Sequence, residues 1–279
     1  MNVSSRRLYQ AFKYTVYALL AFNVYLFFDE ELAAAALQFP NGVALLDVIE
    51  AYSATIDTFA WVVLLLLFEL ETYVLEDEDF TKSVAWTLHG LRAVCYAFIV
   101  YAFYGYIENL LFVSDTVALT GVTNVCELLP GDWSWAVTLD EYAAVTSANC
   151  SSWSDAGSFL QFRDLPAIVD ATGRTEIVRL AWVDVINAGV WLLVVLVLEI
   201  DVRLQERNRY EGRALQASNA AKFVLYSTLL LAAIYWGVKG DFVDFWDAFL
   251  WLVAFVFIEL NVFEWRQEDK AALAAEGVS

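Results

Sequence analysis

Six apolar runs, at residues 9–28, 51–68, 85–107, 180–200, 220–238 and 242–262, dominate the chain. Each approaches the roughly 20 residues that a helix needs to cross a bilayer. Helices are the default for such runs, because an open strand leaves backbone polar groups unsatisfied in hydrocarbon. Polar positions inside the runs recur. An Asp or Asn, a Trp four residues on and a Glu eight further occur as Asp57/Trp61/Glu69, Asn187/Trp191/Glu199 and Asp247/Trp251/Glu259. Two positions beyond each Glu stands another polar residue, at Glu71, Asp201 and Asn261. A second element, a basic residue four before a Tyr, opens the first, third and fifth runs as Lys13/Tyr17, Arg92/Tyr96 and Lys222/Tyr226. The pattern predicts an all-α polytopic membrane protein of six transmembrane helices, arranged as three repeated helical hairpins with a small extracytoplasmic insertion.

At about 100° per residue, Asp57, Trp61, Leu64, Phe68 and Glu71 share one helix face, with Glu69 about 120° round from Asp57. The same stripe recurs as Asn187, Trp191, Val194, Leu198 and Asp201, and as Asp247, Trp251, Ala254, Ile258 and Asn261. An intramembrane acid costs around 3 kcal/mol, so these stripes are expected to face protein or water rather than lipid.

Composition and charge add sidedness. The chain is 60% hydrophobic and 16% aromatic with 3 Pro in 279 residues, beyond what a soluble domain carries. With the N-terminus inside, 12 of the 16 cations fall on the cytoplasmic side and only Arg163, Arg174, Arg179 and Lys239 outside. The positive-inside rule then puts both termini in the cytoplasm of a plasma-membrane protein. Of the 35 acids, 20 belong to the outer half and 15 to the inner, an outer balance of 4 − 20 = −16 against 12 − 15 = −3. Such a face concentrates cations; acid-rich loops adapted to high salt would read the same way. Asp29, Glu30 and Glu31 follow the first run where a leader's cleavage site would lie, and the run shares its basic and Tyr element with two later ones, so it is read as a retained span.

The connections divide the chain into residues 1–107 (first hairpin and third span), 108–179 (insertion), 180–265 (fourth to sixth spans) and 266–279 (cytoplasmic tail). A short helix is expected over residues 32–38, broken by Pro40, Asn41 and Gly42. The insertion carries Trp133, Trp135, Tyr142, Trp153 and Phe159, enough for a small core, together with Cys126 and Cys150. In an oxidising compartment these two form a disulfide closing a 24-residue loop, a stabilisation of roughly 3 kcal/mol. Their spacing fits no zinc pattern, so no metal and no cofactor is expected.

Two readings of the intramembrane polar groups compete. In one, Asp57, Asp184, Asn187 and Asp247 form the outer layer of a cation path, Trp61, Trp191 and Trp251 a constriction, and Glu71, Asp201 and Asn261 an inner layer, for monovalent or divalent cations. In the other the polar groups are structural, with Glu69, Glu199 and Glu259 paired to Lys13, Arg92 and Lys222 to hold each hairpin together. Enzyme chemistry finds no constellation: His89 is the single histidine, and neither a phosphate-binding glycine loop nor a basic aromatic surface for nucleic acid is present. The functional expectations are therefore a cation channel or secondary transporter, or a non-catalytic membrane subunit or sensor whose outer lobe binds a second copy or a membrane-complex partner.

Overall fold

A computed structural model of the chain describes residues 3–39, 41–45, 47–71, 81–163, 165–206 and 212–255. It is mostly helical, at 75% helix. Helices α1 (Val3–Gln38), α2 (Val48–Ala51), α3 (Ser53–Glu69) and α4 (Lys82–Ser114) precede five strands, and α5 (Ala171–Glu206), α6 (Arg213–Lys239) and α7 (residues 242–255) follow them. Four segments are long and apolar enough to cross a membrane: Arg7–Gln38, Lys82–Ser114, Ala171–Asp201 and Arg213–Lys239. Their surfaces are inverted relative to a soluble protein. Leu8, Phe22, Leu111, Leu196 and Leu231 are exposed, whereas Lys13, Asn23, Glu31, Glu69 and Asp201 are buried. Apolar outside and polar inside is the arrangement that lipid imposes, and it marks a membrane protein. The helices outrun the predicted spans because an apolar run delimits contact with lipid, while the backbone stays helical beyond it. Residues 32–38 accordingly continue α1 instead of forming a separate helix.

The chain divides into two compact units, Met1–Asn23 with Asp201–Ser279, and Val24–Ile200. In the second of these, α3 is enclosed on two sides, with Thr58, Trp61, Val62, Leu65 and Glu69 along one face and Ala60 and Leu67 on the opposite one. It packs on α4, where Gly105 permits a close approach of α2 and the start of α3. A Cβ there would lie 2.7 Å from Ile49 O and 2.9 Å from Ser53 Cβ. Neither atom is the end of a flexible chain, so Gly105→Ala must push α2 and the start of α3 away. We expect a loss of about 1–3 kcal/mol in detergent unfolding, against no loss and a gain of up to about 1 kcal/mol for Gly90→Ala, where the added methyl meets open space in mid-helix.

The all-α expectation fails for residues 115–170. They form a five-stranded sheet in the order β1-β4-β5-β2-β3, with β1 Thr116–Leu119, β2 Ser134–Ala136, β3 Tyr142–Ala144, β4 Phe159–Phe162 and β5 Ala167–Asp170. All neighbours are antiparallel except β2 with β5. The strands are only three or four residues long, too short to declare an alternation of their own. Val125, Leu128, Trp135, Val145, Phe159 and Ile168 make the core, with Trp135 stacked on Trp153 at 5.3 Å and Phe159 edge-on to Trp135. The Cys126–Cys150 disulfide is formed and joins the two 3-10 turns, Val125–Leu128 and Cys150–Ala156. At the sheet's margins, Asp170 accepts from Gly173 N to cap α5, and Arg174 donates to Ser114 O at the end of α4.

In the other unit α6 ends at Gly240, whose φ of +88° is the left-handed conformation that glycine supplies at a helix C-terminus. Both Gly240 N and Asp241 N donate to Trp236 O. The chain thus turns within two residues into α7, and Gly237 lets Phe245 approach.

Candidate functional site

The repeated stripe can be followed on α3 and α5 within one unit. Trp61 and Trp191 are both buried and meet with ring centroids 5.9 Å apart. Asp57, one turn before Trp61, and Asp184, two turns before Trp191, are half-buried. Asn187 Oδ1 is buried and has no hydrogen-bond partner among the described residues. The recurring Glu is not equivalent in its surroundings, since Glu69 is 6% exposed and Glu199 lies on an exposed face.

In the other unit Asn23 Nδ2 donates to Asp247 Oδ1 at 2.7 Å, and Trp251, one turn along α7, supplies a second hydrogen bond to that carboxyl. The spacing of an acid four residues before a Trp therefore has a local use, because the indole N–H reaches back one turn. Trp251 itself is buried. Glu259 and Asn261 lie outside the described residues, as does the acidic run at 76–79.

Two ion pairs define what the remaining polar positions do. Arg92 Nη2 donates to Glu71 Oε2. Lys222 Nζ lies 2.5 Å from Asp201 Oδ2, the same oxygen that accepts from Ser218 Oγ at 2.7 Å. The cations are two of the three predicted, but the acids are the residues two positions beyond the recurring Glu. Each bond joins the start of one predicted span to the end of the span before it. The reason is angular: residues two apart on a helix point about 200° away from each other, so the one facing the next helix takes the cation. Glu71 and Asp201, read from sequence as an inner layer for cations, are thus occupied by the protein's own cations. Lys13, the third cation, is 1% exposed and lies 5.0 Å from the Tyr14 ring centroid.

Glu31 was not singled out from the sequence as a functional or structural position. This residue is 8% exposed, and its carboxyl accepts from Ala54 N at 2.7 Å, Thr55 N at 3.0 Å and Thr55 Oγ1 at 2.6 Å. The donors are the open N–H groups in the first turn of α3, whose own N-cap, Tyr52, offers no side-chain acceptor. A signal was present: Lys13 and Glu31 are 18 residues apart, which is about five whole turns, so both fall on one face of α1. Outside the four candidate membrane spans, burial together with Glu108 and Asp47 pushes the Glu50 carboxyl up. Arg163, bonded to both Asp115 oxygens, holds that carboxyl below its usual range. Burial pushes the Tyr142 hydroxyl up to about 12.

Among the described residues, no three His, Cys, Asp or Glu side chains gather as a metal cage. A shallow apolar recess lined by Ala85, Trp86 and His89 lies at the start of α4, apart from the repeated positions. No family model matches the chain, and comparison with curated proteins and with solved structures finds no match.

Proposed function

We propose that this chain is a non-catalytic subunit of the plasma membrane, built from three repeated hairpins with six spans and both termini in the cytoplasm, whose acidic extracytoplasmic lobe binds a partner. One observation carries the reading. The intramembrane acids that a cation path would need at its inner end are neutralised by Arg92 and Lys222, in two bonds of the same kind at matching positions of the repeat. A carboxylate held by a guanidinium or an ammonium is a poor ligand for a passing cation and a good cross-link between helices. The Asn23–Asp247–Trp251 bonds belong to the same category.

The lobe supplies what a subunit needs for recognition. Residues 115–170 hold eight acids (Asp115, Glu127, Asp132, Asp140, Glu141, Asp155, Asp164 and Asp170) against one base, Arg163, a net charge of 1 − 8 = −7. A disulfide and a packed aromatic core keep that surface in one shape. A second reading, a cation channel or secondary transporter using Asp57, Asp184 and Asn187, has the unpartnered Asn187 oxygen in its favour.

Flux measurements separate the two. Purified protein in liposomes is expected to pass no potassium, sodium, calcium or protons under any imposed gradient. Flux that disappears in both Asp57→Asn and Asp247→Asn would overturn the subunit reading and establish transport.

A further inference from the structure

Strand β1 is an edge of the sheet, paired on one side only, with β4. The bond from Arg163 N to Asp115 O makes 115 and 163 a hydrogen-bonded pair. In an antiparallel ladder such pairs alternate, so Val117 and Leu119 bond to β4 while Thr116 and Ala118 turn their N–H and C=O outward. These four groups have no partner among the described residues. Val117 is 39% exposed, and Ala118 and residues 120–121 are exposed beside it. The devices that usually blunt an edge are missing from β1, since Thr116–Leu119 contains no Lys, no Pro and no charge. The opposite edge is treated differently: Asn149 Nδ2 donates to Ala144 O and covers β3.

We propose that the open edge of β1 accepts an extended, basic segment of a partner protein as an additional antiparallel or parallel strand. Backbone bonds to Thr116 and Ala118 give the register, and the charge of the lobe selects the partner. The same charge disfavours a second copy of this chain, because two lobes of −7 would meet edge to edge. The inference rests on the partner-binding reading and names the class of partner and the mode of contact.

The test uses the full chain in detergent with its disulfide intact and a labelled peptide, acetyl-Lys-Val-Lys-Val-Lys-Val-Lys amide. Its controls are the Glu-for-Lys counterpart and a version N-methylated at every backbone nitrogen, which keeps the charge and has no N–H on either edge with which to pair. The Lys peptide should bind and shift its labelled carbonyl band to the β position in infrared spectra. N-methylation should weaken binding by at least about tenfold, and so should Ala118→Pro, which removes an outward N–H and no ladder bond. The Trp135–Trp153 near-ultraviolet dichroism reports whether that variant keeps its lobe; if it does not, the N-methylated peptide on wild-type protein decides alone. Equal binding of the two Lys peptides would overturn strand addition and leave the acidic-lobe reading standing. Failure of every Lys peptide to bind would overturn both.

Discussion

Glu31→Ala lowers the unfolding free energy of the detergent-solubilised protein by about 3 kcal/mol, more than its position at the end of an apolar run would predict. The side chain itself contributes little by packing. What it does is accept three hydrogen bonds from Ala54 N, Thr55 N and Thr55 Oγ1, all part-buried, at a helix N-terminus without a cap of its own. Removing the carboxyl leaves those donors with no acceptor where water has little access, and each orphaned group costs about 1–3 kcal/mol. Glu31→Gln keeps one acceptor oxygen but turns an NH2 toward the others, so its loss should be intermediate. Thr55→Val removes one donor together with its need and should cost only about 1 kcal/mol. Hydrogen exchange at the Ala54 and Thr55 amides checks the mechanism, since both should accelerate in Glu31→Ala before the rest of α3. A change below about 1 kcal/mol with unaltered exchange would show that the cap is dispensable.

Glu31 also shows where sequence reading stops. The acid run Asp29, Glu30 and Glu31 looks like the end of a span, and two of its members behave so, being exposed. The third falls on the buried face of α1 with Leu20, Phe27 and Ala34, and only the helix's rotation about its axis distinguishes it. The long apolar helices were legible because lipid demands continuous hydrophobicity over many residues, a signal that survives without knowledge of neighbours. The sheet at residues 115–170 was not. Strands such as Ser134–Ala136 and Tyr142–Ala144 are too short to show a period of two, and they are strands because β5 and β2 bring distant segments side by side. The disulfide was legible from compartment and count, since Cys126 and Cys150 are the two of the three cysteines that lie outside the apolar runs. The ion pairs were half legible. Their cations, Arg92 and Lys222, stand out as charges in apolar runs. Their acids had to be chosen between two candidates on opposite helix faces, and the partner helix makes that choice.

The second large effect is expected at Asp201. Its carboxyl is 3% exposed and its Oδ2 serves Lys222 Nζ and Ser218 Oγ together. Asp201→Ala therefore strands an ammonium that is itself only 17% exposed, and breaking a buried pair from one side costs about 3–5 kcal/mol. Lys222→Met strands the carboxylate instead and should cost a similar amount. The double variant Asp201→Leu with Lys222→Met leaves neither charge unpaired and restores stability to within about 1 kcal/mol of wild type, because an apolar pair of similar volume replaces a buried ionic one with little net loss. Glu71 and Arg92, at 18% and 30% exposed, are better solvated, so the single variants Glu71→Ala and Arg92→Met should lose roughly half as much. Measured as two double-mutant cycles by denaturant unfolding in one detergent, both couplings should share a sign and differ in size with exposure. If the Asp201–Lys222 coupling vanished, or if the double variant were no more stable than either single one, the bond would be a coincidence of geometry. The acids of the repeat would then be free to serve a permeating cation.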